Sequence, residues 1–507
     1  LQAQTITLIE FMSAPNTLHY FDYAATTPAD PRVIAAMFEC LGADGVFGNP
    51  ASSSHAAGIA AREKVEHARQ QVADLIGADA REIVWTSGAT ESNNLALKGY
   101  AEMATARRHL VTSRIEHKAI LDTMASLEKR GMTVTYLSPS SRGELTVDEV
   151  ARAVGPQTGL VSLMLVNNEI GTLTDIAAIA AVVHAAGALL HVDAAQALGK
   201  TPIDVKALGI DLMSLSAHKV YGPKGIGALY AGSGVGERIA SQMHGGGHEF
   251  GLRSGTLATH QIVGMGVACE LAAERMAGDS ERIAGLSAYL LDAVLALGDI
   301  TQNARDARRI PHTLSLTIGL PGFQAAMLGE NLAVSSTSAC NSAAGKPSHV
   351  LTAIGLDANA AGRTVRLSFG RYTSWEDVDH AIACFQRALA VCRSKVVATR
   401  ISPEFSISPQ LMPGDLEAVR NQGFKSIICN RPDGEAPEQP SFAEIAATAG
   451  RLGIEVRYLP VVGDKIGADE LASFAACIES LPAPVLAYCR TGNRSGMLWN
   501  MSEPRRK

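Results

Sequence analysis

Residues 214–225 read SLSAHKVYGPKG, with Lys219 at the centre. One apolar run, DLMSLS near 211, leads into the stretch, and a second, GIGALYA near 225, leads out of it. Between them YGPKG punctuates a rigid turn. A lysine beside a turn is ordinarily a solvated surface residue. This one follows a serine and a histidine at a strand end, where an amine is placed for chemistry. Lysine amines form Schiff bases with the aldehyde of pyridoxal phosphate, and a hydroxyl two or three residues away can bind the phosphate. The stretch therefore reads as the lysine site of a pyridoxal-phosphate enzyme, provided that other strands deliver partners to it.

Upstream, EIVWTS near 82, HLVTS near 109, VTYL near 134, LVSLMLV near 160 and ALLHVD near 188 alternate with helical patterns. Continuous apolar strands separated by helices predict a mostly parallel sheet covered on both faces, so the fold class is α/β. Val65, Ala68, Val72 and Leu75 recur at helical spacing and predict a long amphipathic helix after the loop GNPASSSHAAG at 48–58. Beyond about residue 265, longer helices with isolated strands (TLSLTI near 313, VRLSFG near 365) predict a smaller α+β domain that ends with a helix over about 375–394. VVATRISPEFSISPQ, at 396–410, has no periodicity and reads as linker. Alternation then restarts with FKSIICN, FAEIAATAGRLG, EVRYLPV, LASFAACIES and PVLAYC, and closes with a helix from about 493. This predicts a separate compact α/β domain of ordinary size. The expected boundaries are an extension at 1–19, a catalytic region at 20–395 with large and small domains meeting near 264, a linker at 396–404, and a C-terminal domain at 405–507.

The bulk numbers agree. At about 150 residues per domain, 507 residues suggest three domains. Net charge of −6 argues against nucleic acid as the main partner. No apolar run approaches the roughly 20 residues needed to span a bilayer. The opening LQAQTITLIEFMS lacks a basic region and carries Glu10, so no signal peptide is expected, and Met12 is a candidate natural start. Eight cysteines at irregular spacing, without CxxC pairs, suggest neither a disulfide framework nor a metal site, which fits a reducing cytoplasm.

Further motifs converge on the large domain. TSGATESNN (86–94) follows a strand and opens a helix, so the backbone N–H groups around Ala89 and the Thr90 hydroxyl can hold a phosphate at the positive end of the helix dipole. HVDAAQ (191–196) ends another strand; Asp193 can keep a pyridine nitrogen protonated and Gln196 can hydrogen-bond the phenolic oxygen. His117, in RIEHKA, also sits just after a strand, where an imidazole can stack on the ring. Ligands of parallel sheets bind outside the carboxyl ends of the strands, and all of these residues fall there.

Taken in order, DYAATTP, GNPASSSH, TSGATESNN, NNEIG (167–171), HVDAAQ, SAHKVYGPKG, HGGGHEFGLRSGT (244–256) and SSTSACNSAAGKPSHVL (335–351) resemble the cysteine desulfurases, pyridoxal-phosphate enzymes of the class V aminotransferase fold. The resemblance covers about residues 20–395 and implies a fold-type I transferase. It implies Lys219 as the Schiff-base lysine, Asp193 as the pyridinium partner, His117 as the stacking and proton-handling residue, and Asn168 and Gln196 flanking the ring. Thr90, Ser216 and His218 would hold the phosphate, joined by Thr256 from the second subunit of a homodimer. Arg366 would clamp the carboxylate of an L-cysteine substrate, with Arg371 as the fallback, and Asn168 would line the same pocket. Cys340 matches the family's nucleophile, which takes the substrate sulfur as a persulfide and leaves alanine. The cysteine loop departs from the family at Thr337, Asn341 and Lys346, where glycine, threonine and glutamate are usual; loop mobility and the choice of sulfur acceptor depend on these positions. An iron–sulfur scaffold or a thiolation factor would be the acceptor. A related lyase acting on selenocysteine or another amino acid remains the alternative.

In the last domain PVLAYCRTGNRSGMLWN (484–500) reads as strand, loop and helix. Backbone amides of the loop after Cys489 and the following helix N-terminus form an anion cradle that favours a thiolate or persulfide, and Arg490 and Arg494 add positive charge. With ISPQLMPGDLEAV, NRPDGE (430–435) and EQPSF, the domain resembles the small sulfurtransferase-like family related to rhodaneses and cysteine phosphatases. Phosphatases place five residues between cysteine and arginine; Cys489 and Arg494 have four, as in the tighter rhodanese loop. Sulfur transfer is the expectation, with a phosphatase or a non-catalytic docking module as alternatives. Cys429 is either a resolving thiol or a buried strand residue.

Overall fold

The computed structural model describes residues 18–336, 347–393, 396, 398–462 and 466–502. The chain divides into two compact units, Leu1–Gly319 with Gln324–Ile382, and Leu320–Phe323 with Ala383–Lys507. Cys340, Thr337, Asn341 and Lys346 lie outside the described residues.

In the first unit the apolar runs become a seven-stranded sheet: β1 (Ile83–Thr86), β2 (His109–Ser113), β3 (Thr133–Leu137), β4 (Thr158–Met164), β5 (Leu189–Asp193), β6 (Leu212–Ser216) and β7 (Gly227–Ala231). Their spatial order is β1-β7-β6-β5-β4-β2-β3. β2 to β6 run parallel, and β7 is antiparallel to both β6 and β1. Consecutive strand residues face opposite sides, and here both sides are apolar. Val111, Val161, Leu190, Val192 and Met213 join one core cluster; Leu110, Leu160, Leu189, Leu212 and Leu229 join another. Burying each such leucine stabilises by about 1.5–3 kcal/mol, so the strand ends are held on a rigid platform.

Helix α1 (Ala56–Ile76) starts at His55, whose side chain accepts from the Gly58 N–H, and stops at Gly77, which takes the left-handed conformation (φ 69°). Its buried face is Val65, Ala68, Val72 and Ile76. α2 (Ala89–Met103) follows β1, and α3 (Lys118–Glu128) follows β2. The 38-residue α4 (Thr259–Ala296) packs Ile262, Met265 and Cys269 into the cluster that holds α1, and buries Ile283, Leu286 and Leu290 further along. The small sheet is antiparallel, β8 (Ile300–Gln302), β9 (Thr313–Ile318), β10 (Ser335–Ser336) and β11 (Thr364–Ser368), in the order β10-β11-β9-β8. α5 (Trp375–Arg393) follows it.

The second unit has its own sheet: β12 (Thr399–Ser402), β13 (Phe405–Ser408), β14 (Ser426–Cys429), β15 (Glu455–Tyr458) and β16 (Val485–Tyr488), ordered β12-β13-β16-β14-β15. All pairs are parallel except β12 with β13. Helices α6 (Phe442–Arg451), α7 (Ala468–Ser480) and α8 (Asn493–Ser502) complete it. Adjacent residues again serve opposite cores: Ile427 and Leu486 one, Ile428 and Ala487 the other. Residues 399–402, within the stretch read as linker, are instead the edge strand β12. Its side chains are mostly exposed, so its order comes from backbone pairing with β13 rather than from any apolar pattern.

Candidate active site

The carboxyl ends of β1, β2, β4, β5 and β6 open onto one cavity of about 530 Å³. From β1 the chain turns through Gly88 (φ 150°) into α2, and no side chain caps that helix. Its first N–H groups are therefore left to the cavity, which Ala89 and the exposed Thr90 line. From β5 comes Asp193, whose carboxylate accepts from Asn93 Nδ2 at 2.9 Å and from the Ala195 N–H at 3.0 Å. β6 delivers the buried Ser216, then His218 and Lys219 on one short turn. Lys219 Nζ donates to the Ala24 and Ala25 carbonyls at 2.5 and 2.7 Å. Gln196 Nε2 donates to the same Ala24 carbonyl at 2.8 Å. The DYAATTP motif thus serves the site through its backbone.

His117 caps α3, its Nδ1 accepting from the Ala119 N–H at 3.1 Å. That contact places the proton of the neutral ring on Nε2. Desolvation pushes its pKa below the ordinary imidazole value; Asp193 opposes this and Lys219 adds to it. His218 is pushed down to about 4, by burial first and then by the charges of Lys219, Lys224 and Lys200. Both imidazoles are neutral at pH 7. Beneath Asp193, Glu116 is fully buried, and burial raises its carboxyl well above the usual range; the Met164 N–H works against this and Asp193 reinforces it.

A second cavity of about 240 Å³ shares Ala25, His117, Asn168, Gln196 and Lys219 and adds Glu169, Ser335, His349 and Arg366. Arg366, on β11 opposite Ser335, pairs with Asp22 at 2.7 Å and donates to the Asn168 carbonyl at 2.8 Å. Among the described residues its Nε and the buried Asn168 Oδ1 have no hydrogen-bond partner, so both have capacity left for a ligand. Arg371 is not in this cavity. It is taken up by Asp30 and Asp279, at 3.0 and 2.9 Å, with its guanidinium over the Tyr221 ring.

The structure thus brings Ala89, Thr90, His117, Asn168, Asp193, Gln196, Ser216, His218 and Lys219 to one cavity and Arg366 to its neighbour. It does not bring Thr256, which is exposed and lines neither. Sequence reasoning missed Asn93 and His349, which line these cavities, and Asp22, Lys200 and Glu116, which bond Arg366 and Gln196 or act on Asp193 from behind. Among the described residues no cluster of side chains could hold a metal ion, and no helix is long and apolar enough to cross a membrane.

Residues 19–381 match the model of class-V aminotransferases. The chain belongs to that family. Within it the chain groups with the cysteine desulfurases, which depend on pyridoxal phosphate. It is 53% identical over 386 residues to the cysteine desulfurase IscS of Azotobacter vinelandii, covering 76% of this chain and 94% of that one. Against the cysteine desulfurase IscS of Pseudomonas fluorescens Pf0-1 the identity is 52% over the same coverage. Of solved structures, a NifS-like protein matches with a TM-score of 0.68 at 36% identity, over 74% of this chain and 99% of that one. A structure titled SspA in complex with cysteine matches with a TM-score of 0.63 at 40% identity, over 70% and 99%. The class-V cofactor fits this cavity: an uncapped helix N-terminus for a phosphate, a buried carboxylate for a ring nitrogen, and a lysine amine line the same space.

The second unit has its own candidate site, and residues 398–505 match the phosphatase-like domain of beta-lactamase hydrolase-like proteins. β13, β14, β15 and β16 present their carboxyl ends together. Cys489, directly after β16, is buried, and its Sγ accepts from the Gly492 N–H at 3.1 Å. Burial alone would raise its pKa, but the N–H groups of Ser495, Thr491, Arg494 and Gly492 outweigh it and lower the thiol below its ordinary value. Arg494 donates to Glu435 at 2.8 Å and to the Val461 carbonyl at 2.6 Å. Glu435 also takes Arg431 at 2.7 Å. The Ser495 hydroxyl is fully buried and has no partner among the described residues. Arg490 is exposed. Cys429 ends β14, buried, with its thiol raised by burial.

Proposed function

We propose that the chain converts L-cysteine to L-alanine, collects the sulfur on Cys340, and passes it to Cys489. The observation that carries the first part is the convergence of Lys219, Asp193, His117 and Arg366 on two adjoining cavities. Thr90, Ser216, His218 and the α2 N-terminus near Ala89 would hold the phosphate of pyridoxal phosphate, Lys219 its aldehyde carbon, and Asp193 its ring nitrogen. When bound, that group draws electrons from the substrate α-carbon. Arg366 and Asn168 orient the substrate carboxylate, and neutral His117 is suited to hold and return a proton. The Cys340 thiolate bonds to the substrate sulfur as the carbon–sulfur bond breaks. The electron pair stays with carbon, which gains a proton on the way to alanine, and Cys340 keeps the persulfide.

Transfer needs no further oxidant. The Cys489 thiolate attacks the outer sulfur of the Cys340 persulfide, and Cys340 leaves as thiolate. The lowered Cys489 thiol supports this reading, and the tether between units raises the effective concentration of acceptor. Thr256, exposed on its own subunit, would serve the phosphate of a second copy, so a homodimer is part of the reading. A reducing cytoplasm suits the free cysteines among the described residues, and an iron–sulfur scaffold or thiolation factor is the class of final acceptor. The test is mass spectrometry of the whole chain after incubation with sulfur-labelled L-cysteine. Label is expected on Cys340 and Cys489 and, in Cys489→Ser, on Cys340 but nowhere in residues 405–507. Label persisting there in the serine variant would sink the transfer step. A phosphatase is favoured by the family match of the second unit, and turnover of a phosphate monoester that Cys489→Ser abolishes would establish it.

A further inference from the structure

Gln196 is held from a direction that no motif announces. Lys200, half buried four residues on, donates from Nζ to Gln196 Oε1 at 2.9 Å. The other end of the amide, Nε2, donates to the Ala24 carbonyl at 2.8 Å. An amide's oxygen and nitrogen ends are nearly the same shape, so its orientation is decided by its partners. Both partners here are unambiguous. A lysine ammonium only donates, so Oε1 must face Lys200, and a backbone carbonyl only accepts, so Nε2 must face Ala24. The second hydrogen on Nε2 is then left for an acceptor in the cavity that Gln196 lines.

We propose that Lys200 is a positioning residue of the cofactor site: it fixes the Gln196 amide with a donor, not an acceptor, toward the cavity, where the phenolic oxygen of pyridoxal phosphate needs one. This rests on the cofactor reading given above. A carbonyl in that place would repel a phenolate. An N–H stabilises it and so lowers the proton affinity of the bound chromophore.

The charges around Lys200 make the restraint sensitive to pH. Lys219 and Arg366 face it from the site, His218 and His312 lie within its field, and Arg309 and Glu281 line the groove on its other side. Burial first, then Lys219 and Arg366, bring the amine down to about 7. Above that pH the neutral amine carries a lone pair as well as hydrogens, and either end of the Gln196 amide can satisfy it.

The test is a pH titration of the visible absorbance of the purified holoenzyme, without substrate, in wild type, Lys200→Met, Lys200→Arg, Gln196→Ala and the Met/Ala double variant. Removing a nearby cation would by itself raise the chromophore pKa, so the double variant separates positioning from bare charge. Lys200→Met is expected to raise the midpoint by about one pH unit, a tenfold change in proton affinity. Lys200→Arg, whose guanidinium keeps donating above pH 7, should hold the midpoint at or below wild type, and Gln196→Ala should rise as Lys200→Met does. The double variant should rise no further than Gln196→Ala alone. A Lys200→Met midpoint equal to wild type, or a full additional shift in the double variant, would overturn the proposal. Should Lys200→Met fail to fold, a Lys200→Leu midpoint equal to wild type overturns it in the same way. A wild-type chain that forms no such chromophore would instead remove the cofactor reading beneath it.

Discussion

The two candidate sites solve the same problem of holding reactive groups at the carboxyl ends of parallel strands, but with different materials. The first is assembled from side chains. Five strand ends each contribute one or two, and supporting bonds such as Asn93 to Asp193 span a hundred residues of sequence. The second is assembled from backbone. Four N–H groups, those of Thr491 and Gly492 in the loop and of Arg494 and Ser495 in the first turn of α8, aim at Cys489, and the side chains around them, Arg494, Glu435 and Arg431, mainly tie one another down. A side-chain site should fail sharply when one residue is changed. A backbone site should yield gradually, because each amide supplies only a part of the field.

The largest expected effect tests the first half of that contrast. Lys219→Ala removes an amine that the fold holds against two carbonyls. Alanine formation from L-cysteine should drop about a hundred- to ten-thousandfold, and the absorbance of a lysine-bound cofactor should vanish. A variant that kept a tenth of the activity would show that the site tolerates the loss of a single side chain and that the contrast is drawn in the wrong place.

The second site is probed by pH. Because the Cys489 thiol is lowered, its alkylation by iodoacetamide should reach half its maximum rate below the ordinary thiol value of about 8.5. The same shift bears on stability. The thiol loses its proton more readily folded than unfolded, so ionisation stabilises the second unit fully above the unfolded-state pKa. That increment is lost as pH falls through the folded-state value. Unfolding of wild type and Cys489→Ser by urea at pH 9.5 and pH 6 should therefore differ more at the higher pH. An equal difference at both would mean that the cradle does not favour the thiolate.

The same contrast governs how much could be read from the sequence. The seven strands of the large sheet announce themselves because both faces are apolar, and Asp193, His117 and Lys219 fall at strand ends where a parallel sheet gathers its ligands. Glu116 and Lys200 were invisible: a glutamate next to His117 and a lysine in GKTP look like solvated charges until β4 and Gln196 are placed over them. The hairpin of β12 and β13 was missed for a related reason. Thr399–Ser402 is an exposed edge whose ladder is backbone, and Pro403 and Pro409 bracket the only apolar alternation, Phe405 and Ile407. Arg371 could be weighed against Arg366 only once Asp30 and Asp279 were found holding it. Pattern reports what a residue's neighbours in sequence require; it is silent where the requirement comes from a distant carbonyl or carboxylate.

The smallest expected effect decides whether the cradle is a backbone device. Gly492 has φ 92° and gives its N–H to Cys489 Sγ at 3.1 Å. A methyl group there would be strained by that backbone conformation, at about 1–2 kcal/mol, and would meet the Ser408 carbonyl oxygen at 3.4 Å. Gly492→Ala should therefore lower the unfolding temperature of the second unit modestly and turn one of the four amides away. The alkylation midpoint of Cys489 should then move up toward the ordinary thiol value without reaching it, since Ser495, Thr491 and Arg494 still donate. The cofactor absorbance of Lys219 should be unchanged. A midpoint that stays at the wild-type value would show that the Gly492 amide does not hold the thiol down, and the backbone reading of the cradle would lose that donor.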